Sequence, residues 1–309
     1  DAYRPGTERQ HGWNLYHINA LYDLENGIYT DALVQKEHTK NEDAALCEMA
    51  GRSAIPEPVI LLADRGYEAY NSFARLEQRG WKYLIRLKDR NRTYAYGITL
   101  PDQPEFDFPV RVTLGRLTVR QLERRGIPVP EAYCRLPNQV PFDDLEPSSA
   151  GFYLFSARIV RLLLHDGSTE TLITNLDPAQ FPPDVLRSLY ARRWGIETSF
   201  RQLKYTVGMV HLHSKRPELI LQEIMSAFII FNFAQAAAWG VDTTRGKSKY
   251  KRRVNFSDAV YFCCQVLRGV AFDVIRFLER NLLPCRPDRS YPRPVVAGNR
   301  ISPVYVPAR

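Results

Sequence analysis

Tyr190-Ala191-Arg192-Arg193-Trp194-Gly195-Ile196-Glu197-Thr198-Ser199-Phe200-Arg201-Gln202-Leu203-Lys204 is the stretch on which the reading of this chain turns. Wound as one helix at 100° per residue, with Tyr190 at 0°, it puts Arg193 at about 300°, Lys204 at about 320°, Glu197 at about 340° and Arg201 at about 20°. One carboxylate is thus ringed by three cations and a phenol. Leu189, Ile196, Phe200 and Leu203 fall at roughly 220–280° and supply an adjoining apolar stripe. Exposed amphipathic helices with Glu–Arg pairs are common, and such pairs contribute little. The same residue set is also what metal-dependent phosphodiester chemistry requires: a carboxylate to hold a divalent cation, and Arg and Lys to hold phosphates. Spacing alone leaves both readings open.

The chain has 309 residues, 45% hydrophobic and 25% charged, which suits one large domain with an insertion, or two domains. Its net charge of +8 is segregated. Residues 1–182 hold 21 Lys+Arg against 25 Asp+Glu, a balance of −4, and residues 183–309 hold 21 against 9, a balance of +12. The asymmetry points to a polyanion contacted mainly by the carboxy-terminal part, which solubility alone does not require; charge by itself leaves ribosome-like and membrane-surface binding open. The one apolar run long enough for a membrane, 219–239, carries Gln222, Glu223, Asn232 and Gln235 and reads as a buried helix. The five cysteines have no metal-ligand spacing and fit reduced thiols in a cytosol.

Residues 14–35 read as a hairpin, with β-forming residues 15–24 and 28–34 flanking Asn26-Gly27. A helix capped by Asn41 and stopped by Gly51 follows. The apolar run 59–63 reads as a buried central strand ending at Asp64-Arg65-Gly66-Tyr67, then a helix over 68–78 and a strand over 81–87. Periodicity by itself says only α/β. Eight prolines lie between Pro101 and Pro147, and strand-like pieces at 110–119, 152–164 and 169–174 make 94–175 a β-rich insertion. Pro182 and Pro183 launch the Glu197 helix and Gly208 ends it. Pro217 opens the apolar helix, 245–253 is a basic loop, an amphipathic helix spans 257–267 and reaches toward 283, and 284–309 is an extended Pro- and Arg-rich tail.

The order Tyr190-x2-Arg193-x3-Glu197-x6-Lys204 resembles the signature of DDE transposases encoded by bacterial insertion sequences, in the group named after insertion sequence four. Asp64-Arg-Gly-Tyr after an apolar strand resembles the second-Asp motif of that family. A lone Asp in this position is otherwise more often a turn former. The resemblance covers nearly the whole chain and is strongest at 14–40, 59–88 and 170–216. It implies a ribonuclease-H-like core (1–93 and 176–283), lacking its first strand and interrupted by the insertion at 94–175. It also implies metal-dependent DNA strand cleavage and 3′-hydroxyl strand transfer.

The resemblance assigns Asp64 and Glu197 as catalytic ligands of two Mg²⁺ or Mn²⁺ ions. Tyr190, Arg193, Arg201 and Lys204 become DNA contacts, and His213 and Lys215 further contacts. Its partners would be transposon-end and target DNA and at least a second copy of the chain, in a bacterial cytoplasm. The family places its first Asp on an opening strand followed by Gly-Ser/Thr, and neither Asp1, Asp23 nor Asp31 has that context. The expectation is a fragment whose first Asp lies upstream, inactive by itself. A non-catalytic DNA-binding descendant and a hydrolytic nuclease are the rival readings.

Overall fold

A computed structural model describes residues 3–4, 13–88, 93–94, 98–164, 166–244, 249–285 and 306–307. Asp1, residues 245–248 of the basic loop and most of the tail lie outside these residues. The chain forms two compact units, one from residues 1–40 with 194–309 and the other from residues 41–193.

The hairpin forms as its turn chemistry requires. Strand β1 (Tyr16–Asp23) pairs antiparallel with β2 (Ile28–Lys36). Gly27 adopts φ +70°, a conformation open to glycine, and the Asp23 carboxylate accepts the backbone N–H groups of Glu25 and Asn26. Helix α1 (Glu42–Arg52) starts at Asn41, whose side chain accepts from the Ala44 N–H at 3.0 Å. It runs through Gly51 instead of stopping there, because that glycine keeps a helical backbone and the chain turns away only at Ser53. Strand β3 (Ile60–Ala63), a 3₁₀ turn at Arg65–Tyr67, helix α2 (Tyr70–Gln78) and β4 (Lys82–Arg86) then form a parallel β–α–β unit, with Gly80 at φ +77° closing α2.

The proline-rich region is less purely β than its composition suggests. Strand β5 (Phe106–Gly115) is followed by a helix, α3 (Val119–Arg124), where the sequence reading continued the strand to Val119. Thr118 and Gln121 make a reciprocal capping box, a local signal that outweighs the β-propensity of Val119. Strands β6 (Tyr133–Arg135), β7 (Phe152–Leu163) and β8 (Thr169–Thr174) complete one six-stranded mixed sheet in the order β6-β5-β7-β8-β4-β3. Strands on either side of residue 94 therefore share a single sheet, joined where β8 pairs antiparallel with β4 (Leu172 with Arg86, Thr174 with Leu84). Its interior holds Phe73, Tyr83, Phe155 and Leu114, all fully buried.

The loop after β6 is pinned from inside by Arg116, only 3% exposed. Its guanidinium donates to the carbonyls of Pro137 and Val140 (2.9 Å each), Leu145 (3.0 Å) and Phe142 (3.2 Å). Arg116→Met keeps the stem and removes every side-chain donor; the Pro137 and Phe142 carbonyls keep the Val140 and Leu145 N–H groups, and the Val140 and Leu145 carbonyls lose the guanidinium. It should cost about 2 kcal/mol, with amide exchange accelerating across 137–145 before the rest of the sheet.

Helix α4 (Pro183–Ala191) has Pro183 at its first position and packs Leu186 and Tyr190 against Leu84, Val160, Leu162 and Leu172 of the sheet. Helix α5 (Trp194–Tyr205) begins three residues later. The single helix expected over 190–204 is thus two helices. The Arg192 and Arg193 N–H groups bond three residues back, to Leu189 and Tyr190, and the regular ladder lapses there. The physical reason is that Tyr190 is committed to the core of one unit and Leu203 to the core of the other.

Helix α6 (Pro217–Trp239) has the length and apolarity of a membrane span, yet Ile220, Ile224, Ala227, Phe228 and Phe231 pack on Tyr29 and Leu203 as the core of its unit. Helix α7 (Phe256–Leu267) ends at Gly269, φ +85°, and α8 (Val274–Arg280) is separate, so the amphipathic stretch does not run unbroken toward 283.

Candidate active site

In the unit formed by residues 41–193, Asp64 follows the carboxyl end of β3, where open α/β sheets place ligand chemistry. Its carboxylate accepts the Arg65 N–H at 2.8 Å, leaving the second oxygen outside that bond. Tyr190 is 3% exposed, and its hydroxyl donates to the Ala63 carbonyl at 3.2 Å. The phenol therefore ties α4 to the strand end that bears Asp64, and burial pushes its pKa up. The Arg193 guanidinium lies 5.5 Å from the centre of the Tyr190 ring.

Sequence reasoning missed two residues beside Asp64. The pairing of β8 with β4 brings Glu170 to within 3.4 Å of Arg86, Oε1 to Nη1. Burial pushes the Glu170 pKa up; Arg86 and Arg193 oppose this, and the Asp64 carboxylate adds to it. Asp64, Glu170, Arg86, Arg193 and Tyr190 are thus one polar cluster. The available signal was phase: Glu170 shares a strand face with Leu172 and Thr174, both fully buried, where a charge needs a partner.

A third carboxyl group of this unit carries a measurable pH dependence. Burial raises the Asp43 pKa to about 6, with Lys88 opposing and Glu42 and Glu68 reinforcing. A free Asp titrates near 3.9, so the folded state holds the extra proton between about pH 4 and 6, and stability falls as pH rises through that window. Asp43→Asn should therefore stabilise the protein by about 1 kcal/mol at pH 7, after allowance for solvent screening. Urea denaturation at pH 4 should show no such gain.

In the unit formed by residues 1–40 and 194–309, Glu197 occupies the first turn of α5, where the helix dipole favours a carboxylate. Glu197, Arg201 and Lys204 open onto one cavity of about 590 Å³. His17 of β1 and the rings of Trp194 and Tyr205 also line it. Trp194 and Tyr205 are 60% and 57% exposed. His17 carried no sequence signal, because it reaches the cavity only through the hairpin. His213 and Lys215 lie elsewhere on this unit, in a segment held by Glu223 of α6. That carboxylate accepts the N–H groups of His213 and Ser214 at 2.8 Å each, together with the Ser214 hydroxyl. Burial pushes the Glu223 pKa up, and these bonds outweigh it to give a net lowering.

The expected residues thus fall into two sets. Asp64, Tyr190 and Arg193 stand together in one unit, and Glu197, Arg201 and Lys204 in the other. Among the described residues no group of three His, Cys, Asp or Glu is placed to hold a metal ion. Asp64 and Glu197 do offer the hard oxygen donors that Mg²⁺ or Mn²⁺ take.

The family model "Transposase DDE domain" matches residues 1–233. The chain belongs to that family. The DDE-domain chain is also similar to the transposase InsG for insertion sequence element IS4 from Escherichia coli (strain K12), with 27% identity over 153 residues. That match covers 45% of this chain and spans 34% of the relative's length.

Proposed function

We propose that this DDE-domain chain is the catalytic region of an insertion-sequence transposase, with a ribonuclease-H-like core at 1–93 and 176–283. On this reading 94–175 is a β-rich insertion that extends the sheet bearing Asp64. The observation that carries the reading is Glu197 opening onto one cavity with Arg201 and Lys204, in a chain of the transposase DDE family.

Asp64 and Glu197 are the metal ligands, catalytic in that role. When bound, two Mg²⁺ or Mn²⁺ ions supply an activated water or 3′-hydroxyl and stabilise the leaving oxygen of an in-line displacement. Arg201 and Lys204 hold phosphates of the strand that enters the cavity, and Arg193 holds a phosphate beside Asp64. His213 and Lys215 contact backbone further along, consistent with the +12 balance of residues 183–309. The partners are transposon-end and target DNA and a second copy of the protein, in the bacterial cytoplasm.

Mg²⁺-dependent strand transfer of precleaved element ends tests the reading, run on this chain and on a longer version carrying the expected upstream Asp. Joined products that depend on Glu197 support it. Cleavage without joining favours a hydrolytic nuclease, and DNA binding without cleavage in both versions favours a non-catalytic binding protein.

A further inference from the structure

The hairpin and the Glu197 helix are joined by a short chain of directed hydrogen bonds inside a core rich in aromatic side chains. Ser199, 1% exposed, lies two residues after Glu197 and donates its one hydroxyl proton to the Ile196 carbonyl at 2.8 Å. The Tyr29 hydroxyl lies 2.6 Å from the Ser199 hydroxyl oxygen. With the serine proton already committed, Tyr29 is the donor in this second bond. The two bonds bracket the turn of α5 that carries Glu197.

Tyr29 is itself held from behind. The Asn232 carboxamide of α6 accepts the Tyr29 N–H at 2.9 Å and donates to the Tyr29 carbonyl at 2.7 Å. The Tyr29 ring is caged by Phe228, Tyr22, Phe231 and Phe200, with centroids 4.7, 4.9, 5.0 and 5.7 Å away, and the Tyr22 side chain also hydrogen-bonds Ser199. Phenylalanine would fill this cage as well as tyrosine does. A hydroxyl here would suffer a desolvation cost without a partner, and it is aimed at one acceptor on α5. The packing of Ile196, Phe200 and Leu203 seats the helix in the core, and a hydrogen bond adds a fixed distance and angle at one point of it. Tyr16, His17 and Ile18 of the same hairpin line the cavity that Glu197 faces, so the hairpin sets both a cavity wall and the helix orientation.

We infer that Asn232, Tyr29 and Ser199 form a positioning relay that sets the rotation of α5 and so aims the Glu197 carboxylate into the cavity. The inference rests on the reading of Glu197 as a metal ligand. None of the three residues touches DNA or metal; they act through Glu197. Partners that orient a ligating side chain typically change metal affinity 10–100-fold when removed.

The experiment titrates the DNA-bound protein with Fe²⁺ in the presence of ascorbate and peroxide, and reads the metal-directed cut of the polypeptide beside residue 197. Tyr29→Phe and Ser199→Ala should each raise the Fe²⁺ concentration for half-maximal cutting by about tenfold. Ile224→Val, in the same core cluster but outside the relay, supplies a comparable loss of thermal stability and should leave that midpoint unchanged. An unchanged midpoint in Tyr29→Phe, or an equal shift in Ile224→Val, overturns the relay. A cut at 197 that is absent from the unsubstituted protein, or that persists in Glu197→Gln, instead overturns the metal-ligand reading on which the relay rests.

Discussion

In a version of the protein competent for strand transfer, Glu197→Gln is expected to lower Mg²⁺-dependent strand cleavage and joining by a factor of about a thousand or more while leaving DNA affinity within about twofold. A thousandfold corresponds to about 4 kcal/mol of transition-state stabilisation, a plausible scale for one carboxylate that fixes a divalent ion in place. Glutamine keeps the shape and one oxygen donor but loses the charge that neutralises the cation. Glu197 is exposed at the start of α5, so the substitution costs the fold only its dipole contribution, about 0.3–1 kcal/mol. Arg201 and Lys204, which line the same cavity, remain to hold phosphate. Cleavage and joining read on denaturing gels, beside a filter-binding titration, separate the two effects. Activity retained in the variant removes Glu197 from the catalytic set, and affinity lost in parallel with activity recasts it as a structural residue of the DNA interface.

Phe155→Ala carries the largest expected effect on stability. Phe155 lies mid-strand in β7, fully buried, with its ring 4.8 Å from Tyr70 and 5.8 Å from Phe73. Removing it leaves a cavity lined by two aromatic rings of α2, at a cost of about 3–5 kcal/mol. Phe152 begins the same strand but is 38% exposed, and Phe152→Ala should cost about 1 kcal/mol or less. Urea denaturation followed by tryptophan fluorescence, with Trp81 fully buried in this unit, compares the two. Equal midpoints for the two variants would mean that the aromatic cluster of α2 and β7 does not carry the stability of the sheet. Loss of the Phe155 ring should also blunt DNA processing through the platform that bears Asp64.

Several elements were legible because short-range chemistry specifies them. Gly27 supplies a positive φ that few side chains tolerate, so the hairpin turn shows in the sequence. Asn41 caps a helix by bonding a residue three places on, and the apolar run at β3 needs no partner to be recognised. The Thr118 capping box was equally local and went unread beneath the proline-rich composition around it. The residues of the transposase signature were legible for the same reason, because they lie within fifteen consecutive positions.

The amino-acid sequence by itself determined the turns, the caps, the apolar strands and the identity of the charged residues around Glu197. Tertiary structure alone decided that Tyr190 and Glu197 stand on separate helices, since each end of that stretch is drawn into a different core. It alone placed Glu170 beside Asp64 through a strand pairing that joins Thr174 to Leu84, and it alone aimed the Tyr29 hydroxyl at Ser199 across 170 residues. Local pattern specifies what a residue can form with its neighbours along the chain. Which distant groups it meets depends on how the cores close, and no window of sequence contains that information.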